Sequence, residues 1–135
     1  MNRHDDELLQ VPLFAGFTKH DLEHIHAVST SLSVRKGDVL MEEGTIGHEM
    51  FVILEGAVEV THKGQHVADI MSGGFVGELA LLCNRPRNSR VVAKVDCTVL
   101  HIDGRGFMAL LEDVPHLAVK MLPVVAARIN PALEN

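Results

Sequence analysis

Tryptophan and tyrosine are absent from the 135 residues, and phenylalanine occurs only five times. That leaves no aromatic platform on which single-stranded bases could stack. Cysteine is nearly absent too. Cys83 and Cys97 form no CxxC pair, which excludes a disulfide scaffold and fits a reducing cytoplasm. Basic residues are the minority, 12 against 18 acidic, for a formal net charge of -6. Such a surface repels a phosphate backbone, so neither DNA nor RNA is an expected partner. It still admits a small anion at one focused basic site, because distant charges are screened and contact partners are not. No apolar run approaches the roughly 18 residues of a membrane span. The first ten residues, with Arg3, Asp5, Asp6 and Glu7, lack the apolar block of a secretory signal.

What is present is enough for a core: 47% of the residues are apolar, in a chain of single-domain length. Thr18 and Asp21 make a capping-box start for a short helix that turns Leu22, Ile25 and Val28 inward. From Ser31 to Ile102 the pattern changes. Short apolar runs (Val39–Met41, Met50–Leu54, Ala57–Thr61, Val67–Met71, Val91–Val95 and Cys97–Ile102) alternate with glycine turns at Gly37, Gly44, Gly56, Gly64 and Gly73-Gly74. Strands this short, with turns this close, point to a closed roll or sandwich. Asp103 then caps a helix through Glu112. Pro115 opens a last helix, His116–Ile129, in which Pro123 predicts a kink or interruption. No linker, low-complexity segment or repeat divides the chain, and the expectation is one domain over residues 1–135.

The informative stretch runs from Phe75 to Val91. Gly77 permits close backbone approach, and the helix turn that starts near Glu78 offers unpaired N–H groups to an anion. Pro86 stiffens the loop that carries Arg87, whose planar guanidinium grips phosphate oxygens through parallel hydrogen bonds. Gly77-Glu78-Leu79-Ala80-Leu81 and Pro86-Arg87 resemble the phosphate-binding cassette of cyclic-nucleotide-binding domains, Gly-Glu-x-Ala-Leu followed by Pro-Arg-x-Ala. Leu54-Glu55-Gly56-Ala57-Val58 and Lys36-Gly37-Asp38 are similar to two further turns of that family, the group of the catabolite activators and the regulatory subunits of protein kinase A. The resemblance spans roughly residues 12 to 130.

The resemblance implies a mostly β fold with flanking helices: an eight-stranded double-stranded β-helix, a jelly-roll-like β-roll, with an N-terminal helix and a C-terminal helical lid. It implies a sensor with no catalytic residue and no cofactor, whose ligand is cAMP, with cGMP the alternative. Arg87 would pair with the cyclic phosphate and Glu78 would accept the ribose 2′-hydroxyl. Gly77 would make the turn, and amides near Leu79, Ala80 and Ser89 would complete the cradle. Asn88 follows the arginine, where the family separates guanine from adenine, and Ser89 replaces the usual alanine. The lid would move on binding and signal to an effector protein. A homodimer, a degenerate roll that only binds protein, and a piece of a catabolite-activator-type regulator stay open as alternatives.

Among nine histidines, His20 and His24 lie four apart on one helix face, and His24-x-His26 is superficially like metal-binding barrels. No further Glu and His follow at barrel spacing, so no metal is expected, and the first pair reads as surface histidines. Arg85 and Arg90 read as solvated residues, Glu42-Glu43 as a solvated turn and Cys83 as a half-buried thiol.

Overall fold

The computed structural model describes Asp6 and residues 8–129. The other ends of the expected 1–135 span, with Arg3, Asp5, Glu7 and residue 130 of the resemblance, lie outside the described residues. A 3-10 turn, Pro12–Phe14, leads to helix α1, Lys19–Val28. Its start is the capping box read from the sequence: the Asp21 amide donates to Thr18 Oγ1 at 3.1 Å and the Thr18 amide to Asp21 Oδ2 at 3.0 Å. Eight strands follow: β1 Ser29–Val34, β2 Val39–Met41, β3 Glu49–Glu55, β4 Ala57–His62, β5 Gln65–Met71, β6 Phe75–Val76, β7 Arg90–Ala93 and β8 Cys97–Asp103. Helix α2, Glu78–Leu82, is inserted between β6 and β7, and α3, Gly104–Asp113, and α4, Pro115–Ile129, close the described chain.

The strands form two four-stranded antiparallel sheets, ordered β1-β8-β3-β6 and β2-β7-β4-β5. The expected β-roll with flanking helices is therefore the fold. Beyond its exposed edge strand β1, the first sheet is buried on both faces at β3, β6 and β8, which explains why β3 reads as one apolar run rather than an alternation. Met50 and Val52 pack towards the helices with Leu100, Ile102, Phe107 and Leu110, while Phe51 and Ile53 face the second sheet with Val58, Val91 and Val99. The outer layer is completed by Leu117, Met121 and Val125, a stripe at four-residue spacing that seats α4.

Of the expected kink or interruption at Pro123, the interruption is not found. Residues 115–129 are helical throughout, Pro123 included. Pro123 removes one backbone donor, and the carbonyl it leaves belongs to Val119, which is exposed to water. No helix among the described residues is long and apolar enough to cross a membrane.

Candidate functional site

The cassette is held at both ends by backbone hydrogen bonds. The Arg87 amide donates to the Thr45 carbonyl and the Gly44 amide to the Arg87 carbonyl, both at 2.8 Å. An isolated bridge pairs Ile46 with Pro86 beside them. Upstream, Gly77 takes φ +93°, in the left-handed region that favours glycine, and turns β6 into α2. A side chain at Gly77 would meet Arg87 Nη1 at 2.7 Å and the Glu49 carbonyl at 3.0 Å. Gly47 lies against the same guanidinium, where an added Cβ would stand 2.6 Å from Arg87 Cζ. Arg87 is thus clamped by two bare backbones that pack closely on its guanidinium.

Only 4% of Arg87 is exposed. Its Nη1 donates to the Gly77 carbonyl at 3.0 Å and its Nη2 to the Glu49 carbonyl at 2.6 Å, with the Glu49 carboxylate 3.6 Å away. Burial pulls the guanidinium pKa below its ordinary value, and Glu49 and Glu78 oppose that pull. Two of the five guanidinium N–H groups are spent on carbonyls, leaving donors for an anion.

Glu78, the first residue of α2, is 1% exposed. Its Oε2 accepts the Leu79 amide at 3.0 Å, and its Oε1 accepts from Arg128 on the last turn of α4. Burial raises the Glu78 pKa, and the Arg128 charge and hydrogen bond work against that rise. The Arg128 guanidinium also stacks over the Phe75 ring, 4.8 Å from its centroid. Two acids and two arginines therefore balance inside the site: Glu49 with Arg87, Glu78 with Arg128.

All seven residues singled out from the sequence, Gly77, Glu78, Leu79, Ala80, Arg87, Asn88 and Ser89, line one cavity of about 580 Å³. That is within the ordinary range for a small-molecule site. Its apolar wall comes from Val60, Val67, Ala68 and Ile70 of the second sheet, and Ala127, Arg128 and Ile129 face it from α4. Arg85 is exposed but reaches the rim, and Cys83 lines the wall as a free thiol. Arg90 does point outward, where its Nε donates to Glu42 at 3.2 Å. The Leu79 amide is taken by Glu78, so the cradle donors with no such partner are those at Ala80 and Ser89 in the expected set.

Sequence reasoning missed four contributors. Arg128 is the only basic residue in the last turn of α4, a signal that went unread because no motif fixes the helix register. His62 lines the cavity and its Nδ1 donates to the Asn88 carbonyl at 2.6 Å, tying β4 to the cassette. Gly47 and Glu49, at the entry to β3, hold Arg87 from forty and thirty-eight residues earlier and carry no local mark of that role.

Residues 31–114, more than half of the chain, match the model of the cyclic nucleotide-binding domain. The chain belongs to that family. Over 113 residues it is 32% identical to a cAMP-dependent protein kinase regulatory subunit of Yarrowia lipolytica, covering 82% of this chain and 30% of that protein. It is equally 32% identical, over 123 residues, to the mouse potassium/sodium hyperpolarization-activated cyclic nucleotide-gated channel 2, covering 89% and 14%. Among solved structures, the regulatory subunit of a cAMP-independent protein kinase A from Trypanosoma brucei superposes with TM-score 0.78 at 25% identity, over 88% of this chain and 46% of that one. The chain thus spans under a third of the length of these curated relatives. It is thus a cyclic nucleotide-binding regulatory domain.

Proposed function

We propose that the domain binds cAMP, with cGMP the alternative, and reports occupancy through the last turn of α4. The observation that carries this reading is the single cavity that gathers the seven cassette residues and the end of α4. Arg87 takes the cyclic phosphate, with the amides of Ala80 and Ser89 beside it. Gly77 and Leu79 shape the turn, Glu78 accepts the ribose 2′-hydroxyl, and Asn88 with His62 stands where base or phosphate is read. The site acts by binding, with no catalytic residue and no cofactor, in the cytoplasm and as one domain.

The ion-pair balance supplies the coupling. A phosphodiester adds one negative charge beside Arg87, and a ribose hydroxyl competes with Arg128 for Glu78. Filling the cavity therefore changes what holds Arg128, and α4 shifts by as much as the ligand prefers one helix position over the other. An effector protein, or chain that belongs to a longer protein, reads that shift.

A second reading follows from Arg128, which fills the ribose acceptor, and from the Trypanosoma brucei neighbour, the regulatory subunit of a cAMP-independent kinase. In it the roll keeps its fold and engages another ligand or a protein. Calorimetric titration of nucleotide-free protein with cAMP and cGMP, repeated on Arg87→Ala, separates the two. Saturable binding that collapses in Arg87→Ala supports the sensor, and the tighter nucleotide identifies the ligand. No heat with either nucleotide, together with an unchanged melting temperature, overturns it in favour of the second reading.

A further inference from the structure

Helix α1 carries His20 and His24 on one face, four residues apart, where helical geometry makes side chains neighbours. Their Nε2 atoms converge to 3.2 Å, with the rings edge to face at 85° and centroids 4.7 Å apart. The opposite nitrogens each look at a carboxylate. His20 Nδ1 lies 3.9 Å from Glu23 Oε2, and His24 Nδ1 lies 3.6 Å from Asp113 Oδ2, at the end of α3. Neither histidine lines the nucleotide cavity.

At 3.2 Å the two Nε2 atoms share one hydrogen bond, one ring donating and the other accepting. The carboxylates stand 3.6 and 3.9 Å from the Nδ1 atoms, on the side where acids orient metal-ligating histidines. Moving the donor ring's proton to its Nδ1, towards the carboxylate behind it, frees both Nε2 lone pairs for one cation. The spacing suits an ion: with zinc–nitrogen bonds of about 2.0–2.1 Å, two ligands sit about 3.3 Å apart at a tetrahedral angle and about 2.9 Å apart at a right angle.

We propose that His20 Nε2 and His24 Nε2 chelate one divalent transition metal of the imidazole-preferring class, Zn²⁺ foremost, with water in the remaining positions. Glu23 and Asp113 are positioning residues that orient the rings. Because Asp113 belongs to α3, occupancy ties α1 to the residue just before Val114 and the start of α4. A second group, Glu59, His66 and Asp69 on the β4–β5 hairpin, is a poorer candidate. There Lys94 Nζ already sits 2.8 Å from Asp69 Oδ2 and supplies the cation.

The test is calorimetric titration of the nucleotide-free chain with Zn²⁺, on the parent and on His20→Ala, His24→Ala, Asp113→Asn and His66→Ala. The expected result is one ion per chain with a micromolar dissociation constant. Affinity falls at least about tenfold in His20→Ala or His24→Ala and severalfold in Asp113→Asn, and is unchanged in His66→Ala. Circular dichroism melts without metal report that the variants fold, since the His20 side chain is 79% exposed and leaves no hole. Binding that survives both α1 substitutions, or is lost only in His66→Ala, or is absent from the parent at millimolar Zn²⁺, overturns the proposal.

Discussion

Arg128, on the last described turn of the chain, closes onto Glu78, fifty residues earlier, and is the side chain through which α4 reaches the buried end of α2. The Glu78 side chain is 2% exposed and that of Arg128 25%. Removing the arginine strands a buried carboxylate, a change that costs about 3–5 kcal/mol when both partners are fully buried. Water reaches Arg128, so the loss expected for Arg128→Ala is smaller, about 1–3 kcal/mol. The stripe Leu117, Met121 and Val125 keeps the rest of the helix seated. Hydrogen exchange should therefore quicken over residues 125–129 while protection at Leu117 is kept. Uniform protection in Arg128→Ala would mean that the ion pair does not hold the helix end.

The same carboxylate sets a pH dependence. Burial raises the Glu78 pKa above its ordinary 4.5 in the folded protein. The folded state therefore holds this proton more tightly than the unfolded one, and stability falls as pH rises from about 4.5 through the raised value. Glu78→Gln keeps the shape and loses the titration. The difference in stability between parent and Glu78→Gln should move against the parent over that window, with a slope no steeper than about 1.4 kcal/mol per pH unit. Urea unfolding at a series of pH values measures it. A difference that moves in the parent's favour would show that Arg128 outweighs burial.

Much of this site was legible because its parts are adjacent in the chain. Gly77-Glu78 and Pro86-Arg87 belong to one stretch, and a turn, a helix start and a stiffened arginine loop can be read there from local chemistry. The strands were legible where glycines bound an apolar run, and Val39–Met41 is β2 to the residue. β1 was not. Ser29–Val34 has only Leu32 and Val34 as apolar residues and pairs at the sheet edge with β8, so tertiary pairing rather than pattern makes it a strand. β6 is two residues long and owes its assignment to Phe51 and Val52 opposite. Pro123 was read by its local rule, and the helix runs on through it. Arg128, Gly47 and Glu49 act only through folding partners thirty-eight or more residues away, which no window of sequence displays.

Arg87 should decide ligand binding. Its clamp leaves it buried and charge-paired, so Arg87→Ala removes a desolvated contact of roughly 2–5 kcal/mol to an anionic ligand, about thirty-fold to several thousand-fold in affinity. Arg87→Lys should recover only part, because an ammonium cannot serve the Gly77 and Glu49 carbonyls and a phosphate with one planar fork. Arg85→Ala, at the rim, should change affinity little. Titration of the three variants with the nucleotide the parent binds orders them. A larger loss in Arg85→Ala than in Arg87→Ala would shift the phosphate contact two residues upstream.

The two glycines that clamp Arg87 should fail differently when given a side chain. At Gly77, φ is +93° and the Glu49 backbone is among the atoms met, so Gly77→Ala strains the turn and presses on a part that cannot swing away. It should lower stability by about 1–3 kcal/mol and weaken nucleotide binding as well. At Gly47 every atom met within 3 Å belongs to the Arg87 guanidinium, the far end of a flexible side chain. Gly47→Ala should leave the melting temperature close to the parent's and displace Arg87 from its carbonyls, with a loss of affinity about tenfold or greater from even one forfeited charge-assisted hydrogen bond. Thermal melts beside calorimetric titration separate the pair. If Gly47→Ala instead binds as the parent does, the phosphate contact tolerates a moved guanidinium, and the clamp serves the fold rather than the ligand.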